Sequence, residues 1–469
     1  MSNADDKTPD TATDAPRARR LPSTTDCSRD AMLARQLRLR EDGFRIDEIA
    51  GQGAGIAPED LEGSIEGFIG FAQVPIGVAG PIHISGGSAV GDFFIPLATT
   101  EGTLIASFQH AFNAMNRCGG ITALCTQERV ARAPCFEFAN LAEASAFAAW
   151  LGAQLDPLRE TTATTSRFCR LLEMDISIVG NLVYVLFNFS TGDAAGQNMV
   201  TLATQKICER LLAEMPVKPR SFLVESVLSG DKRASAMAFR SARGRNASAE
   251  IVLPAKQISR YWRCDASRLV QTWDLATAGM VQSGAAGLQA NVANALAAMF
   301  IACGQDVACV SEATTALTRV ELTREGDVYM SVTLPNLIVG TVGGGTYLPT
   351  ARESLAMLGC IGTGTARKFA EICAAVALAG ELSVVGAMGS GAFASAHASG
   401  GRKALAEPVA APALEAKRDA TAALPQKSPE AWLEEIRSLR RQGRPEEAER
   451  SLREFRTAYP DFRLPEDLR

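Results

Sequence analysis

Apolar positions along the chain follow two periods. Runs of β-branched and aliphatic residues at Ile176 to Val179, Leu182 to Phe187 and Val328 to Leu334 read as strands. Between them lie long Ala-rich stretches with helical spacing, so the body is mixed α/β. The sharpest local case is LVYVLFNFSTGDAAGQNMVTLATQKICERLLAEM. Here a strand runs into a turn holding Gly192, Asp193 and Gly196, then into a helix whose Met199, Leu202, Ile207 and Leu211 are predicted to face inward. A charged segment from Arg35 to Ile49 also looks helical. Near the end, Ser428 and Pro429 make a helix start, with Ser as N-cap and Pro at the first helical position. Trp432, Leu433, Ile436 and Leu439 form an apolar stripe, Gly443 and Pro445 turn the chain, and Ala448, Leu452 and Phe455 form a second stripe. The pattern predicts a helical hairpin, charged outside, that serves as a docking or oligomer-stabilising appendage or as a partner-binding module.

Composition narrows the class. A chain of 469 residues has room for two or three domains. With 47% hydrophobic and 21% charged residues it has the make-up of a globular enzyme. Net charge is −5, which gives no basic footprint for nucleic acid. The 40 glycines and only 6% aromatics imply a core of small side chains and close backbone approaches. The 11 cysteines occur without a C-x-x-C pair, and the three histidines, His83, His110 and His397, lie far apart. A zinc ribbon, a disulfide framework and a His-based metal site are all disfavoured, and no metal is expected. The first residues are polar and lack the apolar stretch of a secretory signal. The most apolar segments, 276–304 and 369–398, carry Gln282, Gln289, Asn291 and Asn294 or Glu371 and Glu381, which fits poorly with a membrane span. The expectation is a reduced, cytoplasmic protein without membrane association.

Two glycine clusters and four ionisable residues carry the candidate chemistry. Glycines before a helix N-terminus let backbone amides approach an anion, and the helix dipole favours negative charge there. The turn at Gly192 to Gly196 lacks the G-x-G-x-x-G spacing, so a nucleotide site there would be of another kind, and a tight strand-to-helix turn explains the same residues. A second cluster, GTVGGGT at 340–346, follows the strand from Val328 and is either a flexible loop or a surface that a ligand lies against. Glu101, Asp306 and Lys232 stand among apolar or small residues. Burial raises a carboxylate pKa, while a neighbouring lysine opposes the shift and can hold a developing oxyanion. Each of the three could equally belong to a structural ion pair. His397, in GAFASAHASGG, reads by itself as a surface residue.

Taken together, GFAQVPIGVAGP (70–81), PLATTEG (96–102), GDAAGQNM (192–199), IACGQD (301–306) and GTVGGGT (340–346) appear in the order found in hydroxymethylglutaryl-CoA reductases. Over roughly 35–402 the chain resembles a soluble member of that family, of the class shared by eukaryotes and some bacteria. The resemblance implies four catalytic residues: Glu101 as a proton donor to the carbonyl oxygen, Lys232 as the oxyanion-stabilising lysine, Asp306 linking the two, and His397 protonating the departing thiolate. It implies that Asn294 hydrogen-bonds the lysine and that Arg132 contacts the substrate acid. A site for NADPH, or for NADH, is implied at Arg167 and at Asp193, Ala195, Gly196, Gln197 and Asn198, with Gly343 and Gly344 beside it. The implied reaction is a four-electron reduction of an acyl-CoA thioester to mevalonate and free coenzyme A. The implied fold is a large α/β (α+β) domain at 30–133 and 224–402, around a long central helix within 278–303. Inserted into it would be a small ferredoxin-like dinucleotide-binding domain at 134–223. Outside these lie a tail at 1–29, an Ala/Pro linker at 403–427 and the hairpin at 428–469. Active sites in the family form across a subunit interface, so a homodimer or a dimer of dimers is implied.

Substrate recognition departs from the family. Where the family has a lysine that pairs with the substrate's free carboxylate, this chain has Trp273 or Asp274, and no lysine occurs between Lys256 and Lys368. An aspartate there would repel a carboxylate. Gln109, His110 and Asn113 stand where the family places coenzyme A contacts, Asn291 replaces a histidine, and Glu225 and Ser226 alter the serine region. Chemistry is kept and recognition changed. Three functions are consistent with this: the family reaction with a rearranged carboxylate site, reduction of a different acyl thioester, or a non-catalytic relative acting through protein interaction.

Overall fold

The computed structural model describes residues 28–41, 56–240, 243–392 and 429–441, with isolated positions beside them. They fall into two compact units, divided between residues 402 and 403.

The described residues of the first unit contain ten strands: β1 (Ile76–Gly86), β2 (Val90–Ala98), β3 (Ile121–Arg132), β4 (Cys135–Glu137), β5 (Arg170–Val179), β6 (Leu182–Ser190), β7 (Ser221–Leu223), β8 (Gly244–Leu253), β9 (Leu317–Leu322) and β10 (Val328–Leu337). Helices are α1 (Arg29–Glu41), α2 (Leu104–Asn116), α3 (Leu141–Leu151), α4 (Leu155–Ala163), α5 (Gln197–Glu214), α6 (Ala255–Trp262), α7 (Ala266–Ser283), α8 (Val292–Ala302), α9 (Pro349–Met357) and α10 (Ala366–Gly389).

Strand β3 belongs to two sheets. Its first part pairs with β1 in parallel and with β8 antiparallel, in the order β2-β1-β3-β8-β10-β9. A register shift between Cys125 and Gln127 then bends the ladder, and Val130, Ala131 and Arg132 pair with Phe189, Asn188 and Phe187 of β6. That second sheet runs β7-β4-β6-β5, antiparallel throughout. With α3 and α4 between β4 and β5, and α5 between β6 and β7, it is the ferredoxin-like arrangement expected from the sequence. Arg132 therefore sits at the seam.

Helix α10 lies at the centre of the large sheet's core, packed against α2, α8, β3 and β8. Most of its 24 residues are buried, and many are Ala or Gly, which lets neighbouring backbones approach. It is long and apolar enough to cross a membrane, yet 78% of its most apolar window is buried inside the protein. Two carboxylates are sealed into it. Glu371 accepts from the amides of Ser88 (2.7 Å), Ala89 (2.7 Å) and Cys125 (3.0 Å). Glu381 accepts from the amides of Ala290 (2.9 Å) and Asn291 and from the Thr318 hydroxyl (2.9 Å).

The central helix is thus 366–389 and not 278–303. The latter stretch breaks because Gly284, in the left-handed region at φ 71°, caps α7, and Glu381 then captures the amides before α8. The charged N-terminal helix is Arg29–Glu41, earlier than the predicted start at Arg35, and 42–50 lie outside the described residues. On α5 the buried face is Val200, Ala203, Thr204, Ile207, Cys208 and Leu211, while Leu202 is 67% exposed and points outward, against expectation.

In the second unit, α11 (Pro429–Arg441) buries Leu433 and Ile436 with Ala448, Leu452 and Phe455. Trp432 stands edge-on to Phe455 at 5.7 Å, and its indole donates to Ser451 Oγ at 2.9 Å.

Candidate active site

Three motifs far apart in sequence meet on the first unit. Asp306 follows the turn that ends α8. A Cβ on Gly304 in that turn would stand 2.3 Å from the carbonyl oxygen of Gly345, so the glycine-rich loop lies flat against it. Gln305 Oε1 accepts from the amide of Gly340 at 2.9 Å. A Cβ on Gly340 would stand 2.4 Å from the amide nitrogen of Ala195, which joins the loop to the β6–α5 turn. Thr341 donates its amide to the Asp193 carbonyl at 2.9 Å, and Ala194 bridges to Val342.

An ionic cluster occupies this junction. Lys232 Nζ pairs with Asp306 Oδ2 at 2.9 Å, and both side chains are partly exposed, 45% and 37%. Lys232 itself is held at φ 56°, unusual for a residue with a side chain. Its amide donates to Glu312 Oε1 at 3.2 Å. Glu312 is fully buried and pairs through Oε2 with buried Arg243 at 2.9 Å. Arg243 also donates to Asp231 and, at 3.0 Å, to Gln197 Oε1. Arg132, from the seam, donates to Asp231 Oδ2 at 2.9 Å and Glu225 Oε2 at 3.2 Å. Gln197 Nε2 donates to Asp306 Oδ2 at 3.2 Å and to Cys309 Sγ at 3.3 Å.

The charges respond as these contacts dictate. The hydrogen bond that Lys232 donates to Asp306 raises the Lys232 pKa and outweighs partial desolvation. Burial pushes Asp306 upward, but hydrogen bonds from Lys232 and Gln197 win and its pKa is lowered. The upward shift expected from its apolar sequence neighbours is therefore reversed. Burial raises the Glu312 pKa in spite of the opposing charge of Arg243.

The remaining candidates are placed less uniformly. The Asp193 carboxylate caps α10, accepting from the amides of Gly364 (2.7 Å) and Ala366 (3.0 Å). Gly196 precedes α5 at φ 81°, and no side chain caps that helix. Asn198 is exposed at its start. Gly343 and Gly344 have open space where a Cβ would stand. Arg167 is exposed, with its guanidinium 4.8 Å from the centre of the Phe168 ring. Glu101 is exposed in the turn before α2, its amide held by Thr99 Oγ1 at 2.9 Å, and its carboxylate makes no ion pair among the described residues. The structure thus joins Asp306 to Lys232 but not to Glu101. Asn294 is half-buried in α8, and its side chain makes no hydrogen bond among the described residues. Arg132 is committed to two carboxylates of the chain itself. His397 lies outside the described residues.

The departures in the substrate region have internal partners. Gln109 accepts from the Gly80 amide at 2.9 Å and donates to Asn113 Oδ1 at 3.1 Å. His110 Nε2 lies 3.2 Å from the Tyr261 carbonyl, between the rings of Tyr261 and Trp262. Asn291 holds the Gly380 carbonyl at 3.2 Å, whereas Asp274 is exposed on α7. Sequence reasoning missed Arg243, Glu312, Asp231 and Cys309. Arg243 and Glu312 are 69 residues apart, so no local spacing marks them as a pair.

Known proteins of similar sequence and fold place the chain in a family. The sequence profile described as hydroxymethylglutaryl-coenzyme A reductase matches residues 29–402. The 3-hydroxy-3-methylglutaryl-coenzyme A reductase of Methanocaldococcus jannaschii is 39% identical over 349 residues, 73% of this chain and 85% of its own. That of Aeropyrum pernix is 40% identical over 352 residues, 73% of this chain and 82% of its own. Among solved structures, the class II 3-hydroxy-3-methylglutaryl-CoA reductase from Streptococcus pneumoniae bound to NADPH has the same fold, with a TM-score of 0.57 at 17% identity, covering 70% of this chain and 78% of that one. The chain belongs to the hydroxymethylglutaryl-coenzyme A reductase family.

Proposed function

We propose that this protein is a working reductase of hydroxymethylglutaryl-coenzyme A, yielding mevalonate and free coenzyme A with NADPH as reductant. The observation that carries the reading is the part-exposed Lys232–Asp306 pair, 2.9 Å apart, beside the turn that opens α5. Reducing a thioester carbonyl builds negative charge on its oxygen, and a cation already held in place lowers that barrier. Lys232 is that cation, and Asp306 fixes its position and keeps it protonated. Glu101 serves as a proton donor, and His397 protonates the departing thiolate. Arg132 braces the Lys232 loop through Asp231 and Glu225.

The residues present fit a dinucleotide. Eighteen-residue α5 has no side-chain cap, so its first amides are available to an anion. Ala195, Gly196 and Asn198 would hold the cofactor there, with Gly343 and Gly344 alongside and Arg167 as an exposed cation. NADPH, when bound, supplies the hydrides for both reductions. The working form is a homodimer or a dimer of dimers in the cytoplasm, where the ten described cysteines, all free, stay reduced.

The test is consumption of reduced nicotinamide by the purified full-length protein with hydroxymethylglutaryl-coenzyme A, beside a panel of other acyl-CoAs. Turnover of two NADPH per thioester, strongly reduced in Lys232→Ala, is the expected result. A second reading rests on exposed Asp274, which would repel a substrate carboxylate. Turnover confined to another acyl thioester would establish that reading instead.

A further inference from the structure

Gln197 opens α5 directly after Gly196, yet its amide is engaged inside the ionic cluster and not at the turn. Arg243 offers only donors, so the amide atom facing its Nη2 at 3.0 Å must be the oxygen. That leaves Nε2 to donate, and it does so to Asp306 Oδ2 at 3.2 Å and to buried Cys309 Sγ at 3.3 Å. Oδ2 is also the oxygen that meets Lys232 Nζ at 2.9 Å, while Oδ1 accepts from the Ala308 amide at 3.0 Å. The far end is equally fixed, since Arg243 is fully buried and held by Glu312 and Asp231. The main chain of Gln197 is anchored as well, its carbonyl accepting from Arg132 Nη2 (3.4 Å) and the Thr201 hydroxyl (2.8 Å). The amide has a single permitted orientation and is clamped at both ends.

We infer that Gln197 is a positioning residue for the reaction, whose amide aims the Asp306 carboxylate at Lys232. This rests on the reductase reading above, under which the Lys232–Asp306 pair does the chemistry, and it takes the Gln197 side chain away from the dinucleotide. A methionine at 197 would keep the length and lose both polar ends. A glutamate would keep the length and the acceptor for Arg243, but set a carboxylate oxygen against Asp306 where a donor now sits.

The experiment uses the full-length protein carrying Gln197→Met or Gln197→Glu, with thermal melts to confirm that each folds. Lysines are reductively methylated with a carbon-13 label, and the Lys232 resonance, assigned by its loss in Lys232→Arg, is titrated by NMR without substrate. In Gln197→Met the Lys232 pKa should fall toward the ordinary lysine value, because Asp306 is free to rotate. In Gln197→Glu it should rise above wild type, because a second carboxylate faces the ammonium. Shifts of the same sign, or none, would overturn the inference. In turnover assays both variants should lose at least about tenfold in kcat, with KM for NADPH changed less than about twofold, as expected for a hydrogen bond to a charged group. A loss confined to KM for NADPH would instead make Gln197 a dinucleotide contact. Wild-type protein inactive on hydroxymethylglutaryl-coenzyme A would sink the parent reading, while the NMR titration would still decide what Gln197 aims.

Discussion

The central helix and the Lys232–Asp306 junction both hold carboxylates by several donors, and they use them in opposite ways. Glu381 is fully buried and accepts from main-chain amides and a threonine hydroxyl, all fixed parts of the scaffold. Asp306 accepts from one amide, one glutamine and one lysine, and its side chain is 37% exposed. Burial raises the Glu381 pKa, whereas hydrogen-bond donors and the paired Lys232 cation lower that of Asp306. A carboxylate surrounded by fixed donors stitches loops to a helix. One paired with an accessible ammonium leaves a charge that a ligand can use.

The contrast can be broken at either end. The largest effect should come from Lys232→Ala, with a loss on the order of 10²–10³ in kcat, as when an oxyanion donor is removed, and little change in melting temperature. Glu381→Ala should do the reverse. It orphans three buried donors, each worth roughly 1–3 kcal/mol, so stability should fall by about 3 kcal/mol or more in denaturant unfolding.

Dependence on pH separates the two sites next. Asp306 has a lowered native pKa, so its contribution is present above the ordinary carboxylate range and is lost as pH falls through the native value. Lys232 has a raised native pKa, so its contribution holds below the ordinary lysine value and is lost as pH rises through the native one. The pair should therefore stay charged across neutrality, leaving no midpoint of its own in a neutral-range activity profile. Glu381 has the opposite sign for a carboxylate. Its raised pKa makes its contribution greatest at low pH and weaker as pH rises, so wild type should lose ground to Glu381→Gln as pH climbs from the ordinary carboxylate range through the raised native value in unfolding titrations. The smallest effect belongs to α5. Leu202→Ala should change stability by less than about 0.5 kcal/mol, whereas Val200→Ala on the buried face should cost at least about 1 kcal/mol.

How far the sequence could be read depended on the range over which each signal acts. The strands at 176–179, 182–187 and 328–334 were legible because period-two patterning and β-branched residues act within a few positions, and all lie inside observed strands. Helix α10 was harder. Buried on nearly every side, it shows no amphipathic stripe, and its Glu371 and Glu381 read as interruptions until the loops they cap are brought to them. Leu202 was misplaced for a related reason, since apolar spacing alone does not tell which face of α5 packs against the sheet.

What the sequence determined by itself was the identity of the parts: the mixed α/β class, the glycine-marked turns and the ordered motifs that mark the family and single out Lys232 and Asp306 as candidates. The class and the turns rest on residue type and short spacing, the family and the candidates on the resemblance of five ordered motifs. Tertiary structure alone decided which charges meet. Gln197 reaches Asp306 across 109 positions and Arg243 reaches Glu312 across 69, by way of a strand shared between two sheets. The physical reason is that a hydrogen bond senses distances of about 3 Å. Only the packed core brings such distant positions that close.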